Sequence, residues 1–255
     1  MSDTAAPGKV YTACVLVIGN EILSGRTQDT NLAYIAQGLA QIGVVLKEAR
    51  VIPDICDTIA ATVNELRAKY DYVFTTGGIG PTHDDITAEC VAKAFGVKNV
   101  LNPEALAIFQ AVFKPEDLNE ARLRMCHTPE GAALILNPVS RAPGFRKENV
   151  YVMAGIPRVM QAMFDSVKPT LKGGPPVLSR TVGCDLPEGT VAQGLAAIQD
   201  RYRDLDIGSY PAFRRGGGFW VSLVLRGRDA ARLDQAAGEV AAMVKGLGGN
   251  PAMEG

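Results

Sequence analysis

The chain has almost no net charge, no closely spaced pair of cysteines and no long apolar run. Each of these features argues against a class of protein. Its 26 basic and 27 acidic residues leave a formal net charge of −1, so no overall field draws it to nucleic acid or to an anionic membrane. No apolar stretch approaches the roughly 20 residues that a membrane-spanning helix needs. The five cysteines form no C-x-x-C pair, which favours reduced thiols over a zinc site or a disulfide framework. We therefore expect a cytoplasmic protein without membrane or nucleic-acid partners.

The apolar pattern divides the chain into two predicted domains. Residues 1–10 are polar and lack the apolar core of a signal peptide, so we expect a disordered leader. Residues 11–167 alternate β-rich runs with amphipathic helical segments, which predicts βαβ units and a mostly parallel sheet. Residues 168–176 have the proline and glycine content of a linker. Residues 177–250 predict a small α+β domain, KH-like or ferredoxin-like, in the order strand, helix, strand, strand, helix.

A glycine-rich segment from Thr75 to Thr87 carries the strongest functional signal. The segment follows the predicted strand that begins near Asp71. It contains three glycines, Gly77, Gly78 and Gly80, which allow backbone N–H groups to approach an anion. Two carboxylates follow, Asp84 and Asp85, with His83 beside them. Tight packing explains the glycines equally well when they are taken alone, and helix capping is the plain explanation of the aspartates and of Thr87. The combination favours a site for phosphate and a divalent cation.

Two other loops follow predicted strands and belong to the same expected edge of the sheet. The first loop runs from Gly19 to Asp29 and includes Glu21, a candidate metal ligand, general base or ribose acceptor whose alternative is a solvated carboxylate. The second loop runs from Pro53 to Asp57, where Asp54 either accepts a hydrogen bond from a ligand or caps the next helix. Because ligands bind beyond the carboxyl ends of parallel strands, we expect the three loops to converge.

Three further features carry weaker signals. Arg141 is a candidate phosphate partner near a Pro-Gly turn. Cys126 and His127 are adjacent in a segment predicted to be helical from Asp117 to Cys126, and neighbours on a helix do not face each other, so a catalytic pair is not expected. The basic pair Arg214-Arg215 before three glycines suits an RNA-binding turn, but a single basic pair is weak evidence.

Several spaced motifs resemble one known family. The motifs are Gly19 to Gly25 with Asn31, Thr76 to Thr87, Pro129 to Ala132 with Asn137, and Ala142 to Phe145. Together they resemble the MoaB/Mog molybdopterin-binding family in its CinA-like branch, over about residues 10 to 165. Residues 207–211 also resemble the segment that follows this domain in CinA proteins. The C-terminal nicotinamide-nucleotide amidase domain of full-length CinA is not expected in this chain.

The resemblance implies a fold, a ligand class and two activities. The fold is a three-layer αβα domain, molybdopterin-binding-like, and the relatives are commonly dimers or trimers. In Mog-like relatives, the glycine loop and acidic residues matching Asp54 and Asp85 serve molybdopterin binding and metal-dependent adenylylation or metal insertion. In the CinA branch, the same pocket is associated with divalent-metal-dependent hydrolysis of ADP-ribose, and a similar domain of FAD synthases is linked to FAD hydrolysis. Ala154-Gly155-Ile156-Pro157 replaces the usual Pro-Gly-Val-Pro, and Val139-Ser140 stands where a glycine is often found; these departures bear on substrate choice.

The leading hypothesis is a pyrophosphatase that acts on ADP-ribose or a similar nucleoside diphosphate and uses Mg, Mn or Co. Asp84 and Asp85 are the predicted metal ligands, with Glu21 as a further catalytic carboxylate. The alternative is non-catalytic molybdopterin binding or a role in molybdenum cofactor biosynthesis. For either ligand, a phosphorylated pterin or an adenine nucleotide-like molecule, the predicted binding residues are Gly19, Asn20, Ser24, Gly25, Asn31, Asp54, Gly77, Gly78, Gly80, Pro81, Thr82, Thr87, Asn137, Arg141, Gly144 and Gly155.

Overall fold

A computed structural model describes residues 9–213 and 219–254. The chain divides into two compact units, of which the first ends at Gly174 and the second begins at Pro175. This division falls within the predicted linker. The Arg214-Arg215 turn and most of the predicted leader lie outside the described residues.

The first unit consists of eight strands and seven α-helices among its described residues, with short 3-10 turns at Pro115–Asp117 and Lys168–Thr170. In chain order the elements are β1 (Thr12–Ile18), α1 (Asn20–Leu23), α2 (Asn31–Gln41), β2 (Val45–Ile52), α3 (Cys56–Lys69), β3 (Tyr72–Thr76), α4 (Thr87–Ala94), β4 (Asn99–Leu101), α5 (Pro103–Val112), α6 (Glu120–Arg124), β5 (His127–Pro129), β6 (Ala133–Ile135), β7 (Gly144–Lys147), β8 (Val150–Met153) and α7 (Pro157–Val167).

The central sheet places the predicted loops at one edge. Its six strands have the order β2-β1-β3-β8-β7-β6. Strands β2, β1, β3 and β8 are parallel, whereas β7 and β6 pair in the antiparallel sense. The predicted mostly parallel sheet is therefore confirmed. The winding reverses between β1 and β3, because the strand that follows β1 in the chain, β2, lies on one side of it and the next strand, β3, lies on the other. A crevice forms at such a switch point, beyond the carboxyl ends of the strands.

Strand β1 shows why the domain has three layers. Successive side chains of a strand point to opposite faces of its sheet. Ala13, Val15 and Val17 belong to a buried cluster with residues of α2 and α7. Cys14, Leu16 and Ile18 belong to a second cluster with residues of α3 and α4. The continuous apolar run of β1 is thus buried on both faces, as expected for a strand between two layers of helices.

One helix is shorter than predicted, and several short strands were not predicted. The helix expected from Asp117 to Cys126 is limited to α6, and Cys126 lies between α6 and β5. Asn119 caps α6 by accepting a hydrogen bond from the Arg122 N–H at 3.0 Å. Strands β4, β5 and β7 are three or four residues long, too short to show a clear period of two. Neighbouring strands and not local patterns define them.

The second unit is an α+β domain with its own core. Its elements are β9 (Leu178–Cys184), α8 (Glu188–Arg201), β10 (Asp206–Phe213), β11 (Phe219–Gly227), α9 (Ala230–Gly246) and β12 (Ala252–Glu254). The antiparallel sheet has the order β10-β11-β9-β12. Buried residues of β9, β11, α8 and α9 form one cluster. The order matches the predicted one except for β12, which was not expected. Across both units, the described residues include no helix long and apolar enough to span a bilayer.

We expect Phe164→Ala to lower the free energy of unfolding by about 3–5 kcal/mol, because it removes a large side chain from the core of the first unit. Phe164 is fully buried, and its ring centroid lies 5.6 Å from that of Phe74. Leu136→Ala is the control, since Leu136 is 60% exposed and its truncation leaves no cavity. Urea unfolding followed by circular dichroism measures both variants. Equal stability losses would contradict the assignment of Phe164 to the core.

Candidate functional site

The glycine-rich segment forms a loop of residues 77–86. Only glycine fits at its first two positions. Gly77 has φ +105° and Gly78 has φ +68°, values that side-chain-bearing residues rarely adopt. A Cβ atom at Gly77 would lie 2.1 Å from the carbonyl oxygen of Ile18, and one at Gly78 would lie 2.1 Å from Oγ1 of Thr87. The Gly77 N–H donates a hydrogen bond to the Met153 carbonyl at 3.1 Å. The loop is therefore held against the ends of β1 and β8.

Thr87 fixes the same loop from the side of α4. Its hydroxyl donates to the Gly77 carbonyl at 3.1 Å, and its N–H donates to the Gly78 carbonyl at 3.0 Å. The side chain is fully buried. Helix capping was the plain explanation of this hydroxyl, but the structure shows that it holds the preceding loop.

The two aspartates lie in a turn before α4 and do not cap it. The residue that caps α4 is Ile86, and no side chain accepts a capping hydrogen bond there. Oδ2 of Asp85 accepts hydrogen bonds from the N–H and the hydroxyl of Thr82. The side chain of Asp84 is exposed, with one oxygen 4.0 Å from Nδ1 of His83. The carboxylate of Asp84 is therefore open to solvent, from which a cation can reach it.

A cavity of about 280 Å³ opens on the Asp85 side of the loop, and we call it the larger cavity. The loop and the start of α4 form one wall of it. This wall includes Gly78, Gly80, His83, Asp85 and Glu89. The volume of the larger cavity is close to the lower limit of the range of about 300–1,000 Å³ that is typical of small-molecule sites.

The rest of the lining of the larger cavity consists of residues that the sequence did not single out as ligands. It includes Asn99, Arg124, His127 and Phe145. One guanidinium nitrogen of Arg124 donates to the Thr82 carbonyl at 2.9 Å. Nδ1 of His127 lies 3.0 Å from the Leu123 carbonyl. Because a carbonyl can only accept, Nδ1 is the donor of this hydrogen bond.

A smaller cavity of about 50 Å³ lies against Glu21. Its lining also includes Asn31, Thr76, Gly77 and Gly155. The Asn31 amide donates to the Gly155 carbonyl at 2.8 Å, whereas its Oδ1 atom and Oγ1 of Thr76 are buried without a hydrogen-bond partner. Gly77 lines the smaller cavity and Gly78 the larger one, so the loop borders both. Glu21 and Asp85, which the sequence assigned to one pocket, line different cavities.

The first and second predicted loops contact each other through Asp54. Its carboxylate accepts a hydrogen bond from the Asn20 N–H at 2.9 Å, and the Gly19 N–H donates to the Ile52 carbonyl at 3.1 Å. Asp54 therefore supports the chain after β1, and no side chain caps α3. The Ser24 hydroxyl donates to the Glu21 carbonyl at 3.2 Å, and Gly25 occupies a turn with φ +72°.

Eleven of the sixteen predicted binding residues, and the predicted metal ligand Asp84, line neither of these cavities, and three of them lie away from the predicted loops. Asn137 forms a turn, in which its amide donates to the Ala142 carbonyl at 3.0 Å and its Oδ1 atom accepts from the Val139 N–H at 2.9 Å. Arg141 is exposed at the end of that turn, with φ +68°. Gly144 is buried at the start of β7. Of the remaining predicted residues, Pro81 and Thr82 are exposed on the glycine loop.

The donor set suits a cation that arrives with a phosphate ligand. Residues 9–213 and 219–254 contain no group of three or more His, Cys, Asp or Glu side chains that could hold a metal ion. Mg²⁺ commonly takes only one or two carboxylates and completes its coordination with water and substrate phosphates. Asp84 and Asp85 fit that arrangement, whereas an all-protein cage does not.

The fold is an α/β domain with three layers, and its glycine loop borders two cavities. Residues 14–173 match the family described as "Probable molybdopterin binding domain", and the chain belongs to this family. Residues 176–248 match the middle domain of FAD synthase.

Known relatives confirm the CinA-like resemblance. A protein of Archaeoglobus fulgidus is 34% identical over 222 residues, which cover 87% of this chain and 93% of that protein. A CinA-like protein of Desulfosudis oleivorans is 39% identical over 202 residues, 72% of this chain and 48% of that protein. This chain thus spans about half the length of the CinA-like relative. The crystal structure of the protein CinA with unknown function from Thermoplasma acidophilum matches with a TM-score of 0.60 and 33% identity, over 63% of this chain and 98% of that one.

Replacing Gly77 by alanine tests the loop geometry. We expect Gly77→Ala to destabilise the protein by about 1–3 kcal/mol more than Gly25→Ala, because the new methyl group overlaps the Ile18 carbonyl. Gly25 is the matched control, since it also has a positive φ but open space at its Cβ position. Urea unfolding gives the difference. Similar losses for the two variants would show that φ alone, and not the close contact, requires glycine.

Proposed function

We propose that the first unit is a divalent-metal-dependent pyrophosphatase that acts on ADP-ribose or a similar nucleoside diphosphate. Water would attack one phosphorus atom, the bridging P–O bond would break, and the products would be AMP and ribose 5-phosphate. The observation that carries the proposal is the larger cavity, where the glycine loop, carboxylates and one arginine meet.

Ligand binding would depend on the loop backbone. Gly77 and Gly78 permit an approach to the loop that side chains would block, and backbone N–H groups in such turns hold phosphate oxygens. Thr87 keeps the loop in place through its two hydrogen bonds. Because these donors are already oriented, little reorganisation is needed when charge develops on a phosphoryl oxygen.

The carboxylates would place the cation. Asp85 would contribute Oδ1, since Oδ2 already accepts two hydrogen bonds from Thr82, and the exposed Asp84 would contribute a second oxygen. A bound divalent cation polarises the phosphoryl group and lowers the pKa of its bound water. Glu21 lines the smaller cavity, so in this proposal it contacts the part of the ligand that passes the Gly77 side of the loop.

We expect Asp85→Asn to lower kcat/KM for ADP-ribose by a factor of about 100 or more, because one cation ligand loses its charge. The amide still accepts a hydrogen bond from Thr82, so the loop is retained. Asp165→Asn is the control, since Asp165 lies on α7 and accepts a hydrogen bond from the Tyr34 hydroxyl, away from both cavities. Release of AMP with Mg²⁺, Mn²⁺ or Co²⁺ measures turnover. Undiminished activity of Asp85→Asn would contradict the assignment of Asp85 as a ligand of the cation.

The second candidate function is molybdopterin binding without turnover. The observation that favours it is the engagement of Asp85 with Thr82, which makes the carboxylate part of the loop and leaves one free oxygen to accept a hydrogen bond from a pterin N–H group. The loop amides would then hold the terminal phosphate. The family description of residues 14–173 supports this ligand class.

Ligand retention separates the two functions. If the chain stores molybdopterin, we expect a fluorescent pterin to copurify with the wild-type protein, and Gly78→Ala to lose it because a Cβ there overlaps Thr87. Fluorescence of the heat-released ligand makes the measurement, with Gly25→Ala as control. Turnover of ADP-ribose or FAD by a protein that carries no pterin would decide against storage. The expected dimer or trimer remains a prediction that light scattering can measure.

A further inference from the structure

Arg124 is the one lysine or arginine among the described residues that line the larger cavity. It lies on α6, outside the glycine loop, and the residues that line the cavity with it include the carboxylates Asp85 and Glu89. A ligand with phosphate groups would therefore meet one fixed positive side chain there. No pattern in the sequence distinguishes Arg124 from Arg122, which lies two residues before it.

The charge of Arg124 is not neutralised by an acidic partner. No ion pair found among residues 9–213 and 219–254 includes it, whereas Arg122 on the same helix lies 3.6 Å from the Asp117 carboxylate. Arg122 also places its guanidinium over the ring of Phe113 at 4.5 Å. Arg122 is thus already engaged, and Arg124 has its charge available to a ligand.

The single hydrogen bond of Arg124 orients the group. One terminal nitrogen donates to the Thr82 carbonyl at 2.9 Å. A guanidinium has five N–H donors in a rigid fork, so the other N–H groups remain for an anion. Because the fork matches two oxygens of a phosphate, an arginine binds it in a bidentate manner that a lysine cannot reproduce.

We propose that Arg124 binds the second phosphate of a diphosphate ligand, whose first phosphate lies on the glycine loop. This assignment rests on the proposed function and defines its substrate class as molecules with two linked phosphates. A ligand with one phosphate would use the loop and leave Arg124 without a partner. The cavity therefore distinguishes diphosphates from monophosphates through the additional contact with Arg124.

The test compares a diphosphate that cannot be hydrolysed with a monophosphate. The probes are adenosine 5′-(α,β-methylene)diphosphate and AMP, each titrated calorimetrically with Mg²⁺ present. We expect Arg124→Gln to weaken the diphosphate analogue about tenfold or more, the size of a lost hydrogen-bonded charge contact, and AMP by less than about threefold. Arg124→Lys should fall between wild type and Arg124→Gln, and Arg122→Gln should bind as the wild type does.

Three results would overturn the assignment. The first is unchanged affinity of Arg124→Gln for the analogue. The second is an equal loss of affinity for the analogue and for AMP, which would show that Arg124 only positions the loop. The third is a wild-type protein that binds the analogue no better than AMP. Turnover separates this inference from the proposed function. Arg124-dependent binding without hydrolysis of ADP-ribose refutes the enzyme alone, whereas hydrolysis with a wild-type kcat/KM in Arg124→Gln refutes the assignment of Arg124 alone.

Discussion

The close contact between the Gly77 backbone and the Ile18 carbonyl determines the rest of the site. It brings the end of β3 against the end of β1, at the point where the sheet reverses its winding. Thr87 then holds the loop from the other side through the carbonyls of Gly77 and Gly78. In the fixed loop, Gly77 lines the smaller cavity and Gly78 the larger one. The candidate carboxylates are divided in the same way, with Glu21 in the smaller cavity and Asp85 in the larger one.

Much of the first unit follows from its sequence, because its signals are local. Apolar runs bounded by polar loops mark β1 and β3, and the glycines and aspartates after β3 are read directly from the chain. The contact of Asp54 with the Asn20 N–H also agrees with the expected convergence of the loops. Strands β4 and β5 are only three residues long and showed no such pattern, since each depends on the other for its register.

The part of the cavity lining that lies outside the glycine loop could not be predicted for a similar reason. Asn99, Arg124 and His127 come from a stretch of short elements, and no motif spacing distinguishes them from neighbouring polar residues. Only the fold shows that Arg124 reaches the Thr82 carbonyl while Arg122 pairs with Asp117. Conversely, the predicted role of Asn137 came from a resemblance of sequence, and the structure shows an amide that forms its own turn.

The pairing of β3 with β8 has a consequence for the order of folding. Residues 73–76 bond to residues 150–153, and the intervening chain must first form a large closed loop, which is entropically costly and slow. The Gly77 N–H and the Asn31 amide find their acceptors, Met153 and Gly155, on that late-docking segment. A nascent chain thus carries every residue of the glycine loop long before the loop acquires its shape, and ligand binding becomes possible only when β8 has joined the sheet.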